Sequence, residues 1–318
     1  MSLVTRQDIE RAAEAIKGVA ARTPLIEAHW LSEKLGYEVR LKCENLQRAG
    51  AFKIRGAYNA ISRVSDSERK RGVITFSSGN HGQAVALAAK LFGVKAVVVM
   101  PTTAPGVKVE GAKRLGAEVV LEGTTSTHRY DKAMELAAQH GYVVIPPFDH
   151  LDVIAGQGTV GLEILQDLPE VKSVLIPVGG GGQLAGVAAY IKQARPKCIT
   201  VGVEPEIADA MYQSRQAGAP VTIKAQPTIA DGLMPVRPGD ITFEHAQKFV
   251  DELVRVSEDA IIGATREVIQ NAKLVVEFSG AATVAALLSG AYKPVGGPVV
   301  AVLSGGNLDP ARLAALLT

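Results

Sequence analysis

Short apolar runs rich in valine and isoleucine alternate with amphipathic stretches over most of the chain. The runs at 73–77, 96–100, 118–121, 142–145, 174–178, 200–204 and 299–303 are β-branched and do not alternate with polar residues. Strands of a parallel sheet covered on both faces have this character. Between the runs, 81–92, 105–115, 128–140, 160–167, 184–193 and 208–216 carry helical patterns. Gly93, Gly116 and Gly141 fall where helices must stop before the next strand, a position that favours glycine. This alternation predicts an α/β architecture with parallel sheets. The N-terminal stretch departs from it, with a helix over 6–18, an extended piece at 22–25 and a second helix from His29. No long low-complexity linker and no solenoid repeat is visible, so the middle of the chain is expected to form one lobe and both ends the other.

Composition narrows the class of protein. A chain of 318 residues, 47% hydrophobic and 21% charged, is long enough for about two domains and a sizeable core. A net charge of +2 points to neither nucleic acid nor anionic membranes as partners. Cys43 and Cys198 form no CxxC pair and suit reduced thiols in a cytoplasmic protein. The first residues lack the apolar core of a signal peptide, and no apolar run approaches membrane-spanning length.

Four segments that end a predicted strand or start a predicted helix carry the candidate chemistry. Ligands of open parallel sheets gather beyond the carboxyl ends of the strands, so four such segments suggest one shared cleft. Gly179, Gly180, Gly181 and Gly182 precede Gln183 and a helix. Glycines let backbone approach a ligand closely, and helix N-terminal amides favour an anion such as phosphate. A tight turn without a ligand is the alternative, but it needs fewer glycines. The spacing fails the dinucleotide fingerprint, because Gln183 stands where glycine is needed. It also fails the P-loop, whose nearest match from Gly106 to Gly111 is followed by Ala112.

Lys53 lies within Ala49-Gly50-Ala51-Phe52-Lys53-Ile54-Arg55-Gly56-Ala57 at a predicted helix start. A lysine that is desolvated or set near other cations has a lowered pKa and forms Schiff bases; an ordinary solvated lysine is the alternative. Ser77-Ser78-Gly79-Asn80-His81-Gly82 suits a carboxylate or a phenolic oxygen, or simply a helix N-cap. Ser304-Gly305-Gly306-Asn307 is the fourth segment. No histidine pair has metal-site spacing, and no GxSxG elbow is present.

In this order the four segments resemble the fold-type II pyridoxal-phosphate (PLP) enzymes, specifically the serine/threonine dehydratase and serine racemase branch. The resemblance runs from Arg22-Thr23-Pro24-Leu25 to Asn307. It implies two open, mostly parallel twisted sheets flanked by helices, similar to the tryptophan synthase β chain, with the cofactor in the cleft between lobes. The large lobe is expected at 1–46 plus 147–318 and the small one at 47–146. The resemblance implies that Lys53 joins PLP as an imine, Phe52 packs near its ring, and Asn80 bonds the phenolic oxygen. Gly179, Gly180, Gly181 and Gly182 would hold the phosphate, and Ser304 would face the pyridine nitrogen. Ser78, Gly79, Asn80 and His81 would bind the substrate carboxylate. Further matches are Pro147-Phe148-Asp149, Ala155-Gly156-Gln157-Gly158-Thr159, Thr228-Ile229-Ala230-Asp231-Gly232, Glu277 and Ser279-Gly280-Ala281.

The implied activity is β-elimination from L-threonine or L-serine to a 2-oxo acid and ammonia, with Lys53 as general base. Serine racemisation and dehydration of 3-hydroxyaspartate are the alternatives. Ser78 stands where serine racemases have serine and many threonine dehydratases have alanine, which keeps racemisation open. The divalent-cation site of racemase-like members matches at Glu204 and at the carbonyl of Ala208, but Ala210 replaces its second carboxylate. A homodimer is expected, and the chain leaves no room for a C-terminal regulatory domain.

Overall fold

The computed structural model describes residues 2–77, 79–104 and 106–317. In chain order it begins with α1 (Arg6–Ala15), β1 (Leu25–Glu27), α2 (His29–Leu35), β2 (Val39–Lys42), α3 (Lys53–Arg63), α4 (Asp66–Arg69) and β3 (Val73–Thr75). Next come α5 (Asn80–Phe92), β4 (Ala96–Met100), α6 (Gly106–Arg114), β5 (Glu118–Leu121), α7 (Ser126–His140) and β6 (Val143–Val144). They are followed by α8 (Leu151–Asp167), β7 (Ser173–Pro177), α9 (Gly182–Ala194), β8 (Ile199–Pro205) and α10 (Ala210–Ala217). The chain closes with α11 (Asp240–Phe249), β9 (Glu252–Val256), α12 (Glu258–Glu267), α13 (Phe278–Leu288), β10 (Val299–Val302) and α14 (Pro310–Leu317).

The strands form two sheets, one of six in the order β1-β2-β10-β7-β8-β9 and one of four in the order β5-β4-β3-β6. Every pairing is parallel except that of β1 with β2. Successive residues of one strand explain the non-alternating sequence. Val299 and Ala301 pack with Ala281 and Val284 of α13, while Val300 and Val302 pack with Leu184, Val187 and Ile191 of α9. Both faces are therefore covered, and each strand position takes an apolar residue. The smaller sheet is also sandwiched: Val73 and Val98 join the cluster of α3 and α5, whereas Ile74, Val97 and Val99 join that of α7.

Gly93 and Gly141 end α5 and α7 in the left-handed region, at φ of 67° and 70°, as their sequence positions suggest. The helix predicted over 160–167 instead begins at Leu151. Gly156 and Gly158 mask its start in the sequence, yet close helix packing needs them. A Cβ on Gly156 would lie 2.5 Å from the Arg55 carbonyl, and one on Gly186 would lie 2.2 Å from that of Ile154. The described residues contain no helix long and apolar enough to cross a membrane.

Candidate active site

Lys53 opens α3, immediately after Ala51 bridges to Gly305 and the Phe52 amide donates to the Ser304 carbonyl over 3.1 Å. These contacts fix the lysine against the end of β10. Its Nζ donates to the Pro147 carbonyl at 2.8 Å and lies 5.1 Å from the centre of the Phe52 ring. Part of the side chain remains accessible. Burial of the amine nevertheless pushes its pKa down to about 8, against the opposing pull of Glu277.

The tripeptide containing Pro147 ties three parts of the site together. Phe148 walls the glycine loop: a Cβ on Gly180 would come within 2.3 Å of its ring, and one on Gly182 within 2.9 Å of its Cβ. Asp149 accepts the amides of Asp240 and Thr242 at 3.1 Å and so caps α11. On the other side of the loop, a Cβ on Gly179 would lie 2.9 Å from the Gly232 carbonyl. Gly181 adopts φ of 93° and opens α9, whose first-turn amides have no carbonyl one turn back. The outcome is a cradle of bare backbone at the positive end of a buried helix, suited to an anion.

Asn80 begins α5, beyond the carboxyl end of β3. Its Nδ2 donates to Glu277 Oε1 at 2.7 Å, and its Oδ1 accepts from Asn307 Nδ2 at 2.8 Å. Asn307 is itself held by the Ala49 carbonyl at 2.9 Å. These bonds fix the Asn80 amide plane and leave its second N–H for another acceptor. Glu277 is buried, and that burial, reinforced by Asp231, raises its pKa to about 7. The ion pair of Lys108 on α6 with Asp231 lies within electrostatic reach of Glu277.

His81, next on α5, is 2% exposed, and burial together with Lys53 lowers its pKa to about 3. The ring is therefore neutral. Its Nε2, 3.0 Å from the Ile145 carbonyl, must carry the hydrogen, because a carbonyl has none to give. Nδ1 is consequently an acceptor, buried and with no hydrogen-bond partner among the described residues. Ser304 is buried at the end of β10.

The structure thus brings Lys53, Phe52, Asn80, His81 and Ser304 together with the glycine loop. Ser78, expected to act on the substrate, lies outside the described residues. The roles of Glu277, Asn307 and the Pro147 carbonyl were not legible in the sequence; their only trace was position in or beside a matching segment. An open groove of about 840 Å³, lined by Glu10, Arg11, Tyr58, Arg63 and Phe92 among others, includes none of these groups.

Residues 16–305 match the family model described as pyridoxal-phosphate dependent enzyme. The chain belongs to that family. It is 46% identical over 307 residues to L-threonine ammonia-lyase of Thermotoga maritima, covering 96% of this chain and 76% of the relative. It is 40% identical over 318 residues to L-threo-3-hydroxyaspartate ammonia-lyase of Saccharomyces cerevisiae, covering 100% and 98%. Among solved structures it is similar to maize serine racemase, with a TM-score of 0.96, 36% identity and coverage of 99% and 97%.

The residues of this PLP-dependent enzyme fit the cofactor. A backbone cradle, an amine of lowered pKa and a free amide N–H lie at the ends of strands that converge on one cleft. The expected cation site does not fit. Glu204 is 1% exposed, and its two oxygens accept the amides of Met211 at 2.9 Å and Tyr212 at 2.7 Å. The carboxyl caps α10, and burial raises its pKa to about 8 despite those bonds. Ala208 is buried beside it, and Asp209 pairs with Arg255 at 3.1 Å. Among the described residues, no group of three or more histidine, cysteine or acidic side chains is placed to hold a metal. The sequence match missed that Glu204, at the end of β8, serves the backbone at the start of α10.

Proposed function

We propose that this chain is an ammonia-lyase that converts L-threonine, and L-serine, to a 2-oxo acid and ammonia. The observation that carries the reading is the Lys53 amine, lowered to about 8 and held on the Pro147 carbonyl next to Phe148, the wall of the glycine loop. When bound, PLP supplies the electron sink for loss of the substrate α-hydrogen. Lys53 would hold the cofactor, and its amine of lowered pKa would take the substrate α-proton on Nζ. The backbone of Gly179, Gly180, Gly181 and Gly182 binds phosphate at the start of α9. Asn80, its plane set by Glu277 and Asn307, would offer its second N–H to the cofactor's ring oxygen. Phe52 would pack beside the ring, and Ser304 would offer its nitrogen a neutral hydroxyl without a charge to hold a proton there.

Gly79, Asn80 and His81 at the start of α5, together with Ser78, receive the substrate carboxylate. Neutral His81 adds no charge to that site, and its Nδ1 is an acceptor left without a partner among the described residues. The β-carbon–oxygen bond breaks with loss of water, and water then hydrolyses the product to 2-oxo acid and ammonia.

A second reading, serine racemisation, is supported by Ser78 and by the likeness to a serine racemase; there Ser78 would exchange a proton on the face opposite Lys53. A third, 3-hydroxyaspartate as substrate, is supported by the full-length relative that acts on it. We read 1–46 with 147–318 as the large lobe, 47–146 as the small one, the protein as a homodimer and its setting as cytoplasmic. The buried, unpaired Cys43 and Cys198 support that setting.

The test is to incubate PLP-loaded protein with L-serine, L-threonine and L-threo-3-hydroxyaspartate separately, assaying 2-oxo acid and amino-acid enantiomers together. The proposal expects 2-oxo acid from threonine and serine with little D-serine. D-serine outpacing pyruvate overturns it in favour of the racemase, and turnover of hydroxyaspartate alone reassigns the substrate.

A further inference from the structure

Behind the helix that carries Lys53 lies a buried ionic network that the reaction does not use. Arg55, 0% exposed, sits two residues beyond Lys53. Its Nε and Nη2 bond the two oxygens of Glu44 at 2.8 Å. Its Nη1 and Nη2 bond the two oxygens of Glu163 at 2.7 and 2.9 Å. Thr159 Oγ1 at 3.1 Å and the Ala21 carbonyl at 3.2 Å accept from the same fork. Lys42 Nζ reaches Glu163 at 2.6 Å and the Thr23 carbonyl at 2.7 Å, and the Thr23 hydroxyl donates to Glu44. Two cations thus meet two anions, and each group finds partners.

Stability alone is a poor account of such a cluster, because well-packed apolar residues of similar volume often hold a core as well or better. The fork offers direction instead. Two bidentate carboxylates fix a planar guanidinium in position and in plane. Residues two apart on a helix point to nearly opposite sides, about 200° around the axis. Arg55 therefore anchors α3 from behind while Lys53 projects into the cleft. A slip of about 10° in helix rotation would move an atom roughly 8 Å from the axis by roughly 1.4 Å, and misplacement on the order of 1 Å is costly in a reacting geometry.

The partners of Arg55 belong to the N-terminal segment, the turn after β2 and α8. Helix α8 packs closely on α9, where a Cβ on Gly158 would lie 2.9 Å from the Gly186 carbonyl. Since α9 carries the glycine loop, the network joins the root of Lys53 to the frame of the phosphate cradle. We propose that Arg55 is a positioning residue, setting the direction and distance of Lys53 from that cradle through its two carboxylate partners. This rests on the reading of Lys53 as the cofactor-bearing lysine.

The test compares holoenzyme of Arg55→Lys, Arg55→Met and Lys42→Met with the parent. Readouts are the fraction of chains whose Lys53–PLP bond is trapped by borohydride, visible circular dichroism, kcat, KM and Tm. Arg55→Lys keeps the charge but loses the fork. It is expected to lower kcat and the trapped fraction tenfold or more at saturating PLP, with KM for L-threonine within threefold. Lys42→Met, at the end of the network away from α3, is expected to lower Tm at least as far while trapping and kcat stay within threefold. Trapping and kcat of Arg55→Lys within twofold of the parent would overturn the proposal. So would losses in all variants that merely follow Tm. Arg55→Lys decides the matter even where Arg55→Met fails to fold. Trapping needs no substrate, so it separates failure of this inference from an error about which amino acid is consumed.

Discussion

Two buried charge clusters lie on opposite sides of α3, and burial acts on them in opposite ways. Behind the helix, Glu44 has every reason to become neutral, yet the Arg55 guanidinium overrides the burial penalty and holds its pKa below the usual carboxylate range. Arg55 is raised in turn by Glu44 and Glu163 despite its own desolvation. In the cleft the same penalty prevails. Lys53 falls to about 8, His81 falls to about 3, and Glu277 rises to about 7. Depth alone does not separate the clusters; the number of opposite charges in direct contact does. Glu44 meets a bidentate guanidinium, whereas the bond to the Glu277 carboxyl comes, among the described residues, from the neutral Asn80 amide. A saturated cluster is a support, and an unsaturated one is ready to exchange protons and accept ligands.

The harshest way to break this contrast is to remove the cleft amine. Lys53→Ala is expected to cut turnover of L-threonine by about 10³-fold or more, the scale of a lost general base, and to abolish the visible band of the lysine-bound cofactor. Stopped assays and an absorbance spectrum of PLP-loaded protein check both. Retained elimination would place the base elsewhere.

Glu277→Gln tests whether the cleft carboxyl is truly under-compensated. Its pKa of about 7 exceeds the ordinary 4.5. Between those values the folded protein holds a proton that the unfolded chain has released, so the parent loses stability as pH rises through that window. Glutamine does not titrate. In cofactor-free protein, the stability of the variant relative to the parent is therefore expected to rise from about pH 4.5 to about 7 and then level off. Denaturant midpoints across that range decide it; a difference independent of pH would return Glu277 to the satisfied class. Glutamine keeps an acceptor for Asn80 but never a charge, so the Asn80 plane is less firmly set. The expected drop in kcat is about threefold to tenfold, the scale of a charge-assisted hydrogen bond weakened to a neutral one.

The same contrast explains what was legible before the structure. The glycine loop, Lys53, Asn80 and Ser304 stand in short segments with abnormal local chemistry, and their order along the chain suffices to place them in one cleft. The support cluster has no such signature. Lys42 ends the apolar-alternating stretch Val39–Lys42 and reads as an exposed residue, but it is 0% exposed. Glu44 and Glu163 look like ordinary surface acids until folding brings them to Arg55 from 11 and 108 residues away. The helix Phe278–Leu288 lacks a helical period because nearly every residue in it is buried, so periodicity has nothing to detect. Strand β9 is partly exposed on an edge of the larger sheet and was missed for the converse reason. Local patterns reveal what touches ligand, whereas long-range charge pairing appears only in three dimensions.

Ser78→Ala carries a smaller effect and sharpens the cleft side of the comparison. If Ser78 is the proton-exchanging group opposite Lys53, any D-serine formation should fall at least tenfold more than pyruvate formation, since removing an acid–base group costs on that scale or more. Chiral chromatography of the same reaction mixture measures both. Equal losses would make Ser78 a contributor to carboxylate binding alone.

Glu204 supplies a third kind of buried carboxyl, neutralised by burial yet engaged by backbone. Its two oxygens are committed to the amides of Met211 and Tyr212, so a hard cation would have to displace both bonds and find further oxygen ligands. Neighbouring Asp209 is already paired with Arg255, and Ala210 offers no side-chain ligand. Added Mg²⁺, or a chelator, is accordingly expected to change the rate with L-threonine less than twofold. Glu204→Gln keeps one acceptor oxygen but turns an N–H₂ group toward an amide donor. It is expected to lower stability by about 1–3 kcal/mol, the cost of an unsatisfied buried donor, with little change in kcat. Strong activation by micromolar metal would mean that the carboxyl leaves the amides of α10 to bind the ion, and Glu204 would then join the responsive side of the comparison.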